Sequence, residues 1–153
     1  MAPAPDAVPD AGGASMDDAL DALQQLQRHV ATATALLAAR HGASPVHLRA
    51  LLVLAAHGPV TATRLGTLVG LSSGAVTPLV DKLEHSGHAA RVPAARDRRS
   101  VVVSPTDAGL RVVADLRSAY APVFRRAFRH DLDAAAHVLS SLAGALEDEV
   151  ATW

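Results

Sequence analysis

The strongest constraint on the fold is a series of helix-breaking residues in the first two thirds of the chain. Four such breaks interrupt an otherwise helical pattern of apolar residues, at Ser44-Pro45, Gly58-Pro59, Gly70 and Gly87. Residues that can cap a helix precede each of the three pieces between these breaks, and proline suits the first turn of the earliest piece. The pattern therefore predicts three short helices, at about 45–57, 62–69 and 73–85, capped by Ser44, Thr61 and Ser72.

Longer helical patterns lie on both sides of this segment. Leucine and valine recur at three- and four-residue spacings from Asp17 to about residue 41, and again after Thr106, with a bend expected at Pro122. The first 15 residues are mostly Pro, Ala, Gly and Asp and offer little apolar surface to bury. The predicted organisation is a disordered tail at 1–15, a helical region at 16–42 and 105–153, and a domain at 43–104.

The periodicity changes from helical to extended after Gly87. A β-branched run at Val101–Val103 and an Arg-rich turn before it predict a short hairpin with a basic tip. Two short helices joined by a tight turn and followed by such a hairpin form a winged helix-turn-helix. The predicted fold is mainly α with a small β-hairpin wing, in which the recognition helix spans about 72–86 and the wing about 91–101.

The composition excludes several classes of protein. None of the 153 residues is cysteine, which rules out disulfides, Cys-ligated metals and thiol redox switches. The apolar stretches are too short to span a bilayer and the N-terminus lacks a signal-peptide pattern, so we expect a cytoplasmic protein with no membrane partner. No hydrolase, metalloprotease or phosphate-loop motif occurs, which predicts a chain that is not an enzyme and needs no cofactor.

The net charge of −1 hides an uneven distribution of charge. Residues 1–23 carry five acids and no base, whereas residues 61–111 carry seven bases and four acids. Lys and Arg drive phosphate binding, so the segment with the short helices and the hairpin is the one suited to nucleic acid.

The start of the third short helix and the hairpin tip are the candidate DNA-binding surfaces. Small side chains let a helix approach base edges in the major groove, and a helix N-terminus attracts phosphate. Arginines at the tip are placed to enter the minor groove, with Asp97 pairing with one of them and stabilising the wing. The predicted DNA-binding residues are Thr63, Arg64, Ser72, Ser73, Gly74, Thr77, Pro78, Lys82, Arg91, Arg96, Arg98 and Arg99.

Three groups of residues between Pro45 and Gly109 form a recognisable pattern: Asp97 with Arg99, Leu83-Glu84 before Gly87, and Thr106 with Gly109. With these residues, of which Asp97 and Arg99 match the family's Asp-x-Arg, the stretch resembles MarR-family transcription regulators. It implies a homodimer, held by the first and last two helices, that binds a pseudo-palindromic double-stranded DNA operator. It also implies a repressor relieved by a small-molecule effector of aromatic or anionic character. The chain departs from the family's usual residues at Gly66, His88, Ala89 and Pro105.

Several features have an alternative interpretation. Arg91 suits either a phosphate contact or a structural ion pair.

The eight histidines do not form an i, i+4 pair with an acidic neighbour, so no metal site is predicted, and a metal-responsive regulator remains the alternative. Tyr120, Phe124 and Phe128 form a stripe typical of a core or dimer interface; the alternative is an effector pocket, for which His47 and Tyr120 are candidates. A winged domain that binds a protein partner is the alternative to DNA binding.

Overall fold

The computed structural model describes residue 13 and residues 15–95, 99–129 and 131–152. Within these ranges the chain forms six helices and two strands: α1 (Met16–Arg40), α2 (Pro45–His57), α3 (Ala62–Val69), α4 (Ser73–His85), β1 (Ala89–Pro93), β2 (Val101–Pro105), α5 (Asp107–Ala127) and α6 (Leu132–Val150). This mainly helical fold with a two-stranded antiparallel wing confirms the predicted class. None of the described helices is both long and apolar enough to cross a membrane.

The chain divides into two compact units, the first ending at Pro45 and the second beginning at Val46. In the first unit, Ser15 caps α1 through reciprocal hydrogen bonds. The Asp18 N–H donates to the Ser15 hydroxyl (3.1 Å), and the Ser15 N–H donates to the Asp18 carboxylate (2.9 Å). Ser15 is therefore part of a helix start, whereas residues 1–12 and 14 of the predicted tail lie outside the described residues.

The three short helices of the second unit begin and end close to the predicted positions. The Thr61 hydroxyl accepts a hydrogen bond from the Arg64 N–H (3.2 Å), and Gly70 ends α3 in the left-handed conformation (φ 70°). Ser72 stands at the N-cap of α4, but the prediction that its side chain caps the helix is wrong. Its carbonyl accepts from the Ala75 N–H (3.0 Å), so the backbone begins the helix without help from the hydroxyl.

An apolar core joins α2, α3, α4 and the hairpin. Its largest fully buried side chains are Leu48, Leu51, Leu54, Leu65, Val80, Leu83 and Val103. The stripe predicted for α4, which consists of Val76, Leu79, Val80 and Leu83, is buried as expected. Pro78 lies inside α4 and does not end it. The buried stripe leaves the opposite face of α4 on the surface of the domain.

The wing is a two-stranded antiparallel sheet with one additional bridge. β1 and β2 pair with Ala89 opposite Pro105 and Pro93 opposite Val101. Val60, between α2 and α3, also bridges Val103: the Val60 N–H donates to the Val103 carbonyl (3.1 Å), and the Val103 N–H donates back (2.7 Å). This bridge fixes β2 to the helical part of the domain.

The start of α5 packs tightly against the turn between α4 and β1. The Thr106 hydroxyl donates to the Gly87 carbonyl (2.6 Å) and accepts from the Gly109 N–H (3.1 Å). A Cβ atom at Gly109 would lie only 2.1 Å from the carbonyl oxygen of His88. Glycine is therefore required here by close backbone packing, which gives a physical reason for one of the residues that carried the family resemblance.

Candidate nucleic-acid interface

The exposed face of α4 carries the small polar residues expected of a recognition helix. Ser73, Gly74, Thr77 and Pro78 are exposed, and Lys82 follows them one turn later on the same surface. Nothing lies within 4 Å of the position that a Cβ atom would take at Gly74. The N-terminal half of α4 therefore has short side chains on this face, so a second molecule can approach the helix backbone closely.

A shallow groove connects α3 with this face of α4. It has a volume of about 170 Å³ and is lined by Ala62, Thr63, Thr67, Leu71, Ser73, Val76 and Thr77. Three of the residues predicted to bind DNA, Thr63, Ser73 and Thr77, therefore line the same groove. Arg64 is exposed on α3 but does not line the groove. A Cβ atom at Gly66 would lie 2.3 Å from Cγ2 of Val76, so Gly66 lets α3 approach α4 closely.

Arg91, in the middle of β1, is tied to two carboxylates of α4. Its guanidinium forms ion pairs with Asp81 (2.8 Å) and with Glu84, and its backbone N–H donates to the Glu84 carboxylate (2.8 Å). The hydrogen bonds that the Arg91 guanidinium donates to Asp81 and to Glu84 raise the pKa of Arg91 above its ordinary value. We call these three residues the wing clamp, because they join the first wing strand to the second half of α4.

We expect the double substitution Asp81→Asn and Glu84→Gln to weaken DNA binding by about three- to tenfold. Removing two negative charges near DNA would by itself strengthen binding, so a loss shows that the clamp acts by positioning the wing. Fluorescence anisotropy with a labelled duplex measures the effect, and the double substitution Glu147→Gln and Asp148→Asn at exposed positions of α6 is a matched control. Tighter binding by the double variant would instead favour a direct phosphate contact by a released Arg91.

The predicted wing tip is described only in part. Arg96, Asp97 and Arg98 lie outside the described residues, while Arg99 is exposed just before β2. The Ala94 N–H donates to the Ser100 carbonyl (2.8 Å), which closes the hairpin below the tip. Arg99 is therefore the one predicted tip arginine that the described residues include.

The two residues suggested for an effector pocket lie apart from the apolar pocket between α5 and α6. That pocket has a volume of about 420 Å³ and is lined by Ala127, Phe128, Arg129, Asp131, Ala134, Ala135, Val138 and Leu139. His47 is instead buried in α2, with its Nε2 3.0 Å from Nδ1 of His88, and Tyr120 is half-buried in α5. No group of three or more metal-ligating side chains occurs among the described residues.

Sequence reasoning missed the residues that hold the wing in place. Glu84 enters the sequence analysis only through the family resemblance, and neither Asp81 nor Val60 is predicted there to hold the wing. A signal for the clamp exists, since two acids three residues apart in α4 precede an arginine in the predicted wing. The bridge between Val60 and Val103 has no such signal, because its partners are 43 residues apart.

Comparisons with known proteins agree with this geometry. Residues 41–100 match the profile of the MarR family. The helix-turn-helix transcriptional regulator YcgE of Bacillus subtilis is 42% identical over 96 residues, which are 60% of this chain and 62% of YcgE. The chain therefore aligns with less than two thirds of that relative's length.

Two solved structures extend the similarity to the whole fold. RV1404 from Mycobacterium tuberculosis is 27% identical with a TM-score of 0.68, over 87% of this chain and 97% of RV1404. CouR from Rhodococcus jostii RHA1, solved with p-coumaroyl-CoA bound, is 21% identical with a TM-score of 0.68, over 85% and 92% of the two chains, and shares the fold. With a family profile matched across the winged domain, a regulator that is 42% identical over part of its length and these shared folds, the chain is similar to MarR-family helix-turn-helix transcriptional regulators.

Proposed function

We propose that this chain regulates transcription by binding double-stranded DNA through α4 and the wing. The observation that carries the proposal is the exposed face of α4, where Ser73, Gly74 and Thr77 stand beside Thr63 around one groove. Hydroxyl groups on a helix face with short side chains can contact base edges and phosphates in a major groove. The N-terminus of α4 has no side-chain cap, so the Ser72 hydroxyl does not compete with a phosphate for the first amide groups of the helix.

The acting species is a homodimer. Large apolar side chains remain exposed along the helices outside the winged domain, among them Leu20, Leu26, Val30, Val123, Phe124, Leu132, Val138, Leu142 and Leu146. So many exposed apolar residues are typical of an unpartnered interface, and a second copy of the chain would bury them. We assign dimerisation to residues 16–42 and 105–153 and DNA binding to residues 43–104.

Two recognition helices related by a two-fold axis fit a pseudo-palindromic operator. The helices would enter successive major grooves about 34–36 Å apart, with the wings in the flanking minor grooves. A dimer on such a site covers promoter DNA, so repression is the simplest outcome. The lined groove, the wing clamp and Arg99 lie in the same compact unit, which allows them to act on one half-site together.

An effector of aromatic or anionic character relieves this repression in our proposal. CouR, which shares the fold, binds p-coumaroyl-CoA, a ligand with both properties. In this chain the pocket between α5 and α6 has the volume of a small-molecule site, and Phe128 and Arg129 offer it an aromatic ring and a cation. Binding there would shift the population between DNA-competent and other arrangements of the dimer.

The test is selection of duplexes from a random pool, followed by measurement of stoichiometry. We expect enrichment of a pseudo-palindromic sequence and a complex of two chains per duplex by sedimentation, with a dimer in the absence of DNA. A monomer that enriches no sequence would contradict the proposal. Binding to a protein partner with no duplex selected would favour the alternative function of the winged domain.

A further inference from the structure

Two histidines from distant parts of the winged domain meet in its interior. His47 Nε2 lies 3.0 Å from His88 Nδ1, and the two rings pack edge to face with centroids 5.2 Å apart. The Ser86 hydroxyl lies 3.4 Å from the same nitrogen of His47. His47 is buried, with 5% of the residue's surface exposed.

His88 occupies the position where three elements meet. Its N–H donates to the Leu83 carbonyl (2.9 Å) at the end of α4, and β1 begins at the next residue. Its own carbonyl accepts from the Thr106 N–H (3.1 Å) at the start of α5. The imidazole bond to His47 connects this turn to α2, so it helps to set how the recognition helix and the wing are held.

A hydrogen bond between two imidazole nitrogens depends on their protonation. One of the two facing nitrogens must lack a proton so that it can accept the hydrogen bond. A pair of neutral rings meets this condition, and so does a pair in which only one ring is charged. Two charged rings place an N–H on both facing atoms, which removes the bond and sets like charges about 3 Å apart. Full protonation of the pair is therefore incompatible with the observed contact.

We propose that the His47–His88 contact is an acid-sensitive joint, and that charging both rings releases the turn between α4 and β1 from α2 and lowers DNA affinity. The second half of this proposal rests on the DNA-binding function proposed above. The first half concerns the free protein alone. The chemical species sensed is the proton, and the device lies inside the domain that holds the recognition helix.

The surroundings of His47 oppose its charging. Burial, then the imidazole of His88, then the ammonium group of Lys82 on α4 lower the pKa of His47 below its ordinary value of 6.5. The unfolded chain consequently binds more protons than the folded chain at pH values below about 6.5. The stabilisation from the neutral pair is present above that pH and is lost as the pH falls through it.

The first test uses the free full-length protein in buffers that contain EDTA, which excludes an effect of a bound metal ion. The matched variant is His47→Gln with His88→Asn, because these amides stand near the Nε2 and Nδ1 positions and do not titrate. Between about pH 7.5 and pH 5.5, we expect the unfolding constant of the wild type to rise about threefold more than that of the variant, within the ceiling of about tenfold that one suppressed proton allows. Equal pH dependence of the two proteins would overturn the joint.

NMR titration of the ¹⁵N-labelled imidazoles of the wild type keeps the test independent of the variant's folding. We expect His47 to remain neutral below pH 6.5 and to charge only as the turn at His88 shifts. Titration of His47 near 6.5 with unchanged amide signals around residue 88 would also overturn the joint.

The second test compares affinity for the selected duplex at the same two pH values. Charging exposed histidines adds positive charge and should strengthen DNA binding, so a loss at low pH has the opposite sign from the general effect. We expect the wild type to lose about threefold in affinity and the double variant to lose none. A wild-type protein that binds the duplex as tightly at the lower pH as at the higher pH would overturn the proposal that charging the two histidines lowers DNA affinity. A protein that binds no duplex at either pH refutes the proposed function, while the unfolding data still decide on the joint.

Discussion

Replacing Thr77 with aspartate is expected to lower affinity for the selected duplex by about a hundredfold or more. Thr77 is exposed on the face of α4 that borders the groove shared with α3. A carboxylate there meets the negative potential of DNA, and each half-site contact is worth about 1–3 kcal/mol. A homodimer carries the change twice, so the two losses combine on one operator.

Two control variants separate charge at the interface from other effects. Thr77→Val keeps the shape and should lose less than about tenfold, because only one hydroxyl contact per subunit is removed. Ser118→Asp adds the same charge on an exposed position of α5 and should change affinity less than about threefold. Circular dichroism checks that all three proteins fold. If Thr77→Asp bound as tightly as the wild type, α4 would not be the recognition helix. If Ser118→Asp lost as much affinity as Thr77→Asp, the loss would not be specific to α4.

Gly109→Ala is expected to lower the free energy of unfolding by about 3 kcal/mol and the Tm by about 10 °C. The new Cβ atom would lie 2.1 Å from the His88 carbonyl oxygen and 3.1 Å from a methyl group of Leu51. A backbone oxygen cannot move aside like the end of a flexible side chain. The start of α5 would have to separate from the turn between α4 and β1, which breaks the hydrogen bonds of Thr106 as well.

Gly74→Ala is the matched control for this substitution. It adds the same methyl group to a helical glycine with nothing within 4 Å, so the free energy of unfolding should stay within about 0.5 kcal/mol or rise. Urea denaturation of both variants and the wild type measures the difference. A Gly109→Ala protein as stable as Gly74→Ala would show that α5 does not pack on His88 as described.

The fold was largely predictable because its boundaries are encoded locally. Glycines and prolines end α2 and α3, Thr61 caps α3, and the apolar spacing in α4 identifies its buried face. Each of these signals acts within a few residues, where backbone geometry and side-chain capping decide the structure. The cap expected from the Ser72 hydroxyl is the exception, since the backbone starts α4 alone.

The contacts that position the candidate site were less predictable. Arg91 was recognised as a basic residue with two possible roles, but its pairing with Asp81 and Glu84 depends on how β1 folds back along α4. The meeting of His47 with His88 spans 41 residues and leaves no local pattern. The surface residues of α4 could be named from periodicity, because which face a helix buries follows from its apolar stripe.

The salt dependence of duplex binding tests the central claim most directly. Affinity of the wild type and of Arg99→Ala for the selected duplex is measured between 50 and 200 mM salt, with Arg117→Ala on α5 as the control. We predict a fall of about a thousandfold or more for the wild type, and for Arg99→Ala a log–log slope shallower by about two per dimer. Arg117→Ala should behave as the wild type does. A wild-type affinity that hardly changes with salt, or an Arg99→Ala protein indistinguishable from the wild type, would contradict DNA binding through α4 and the wing.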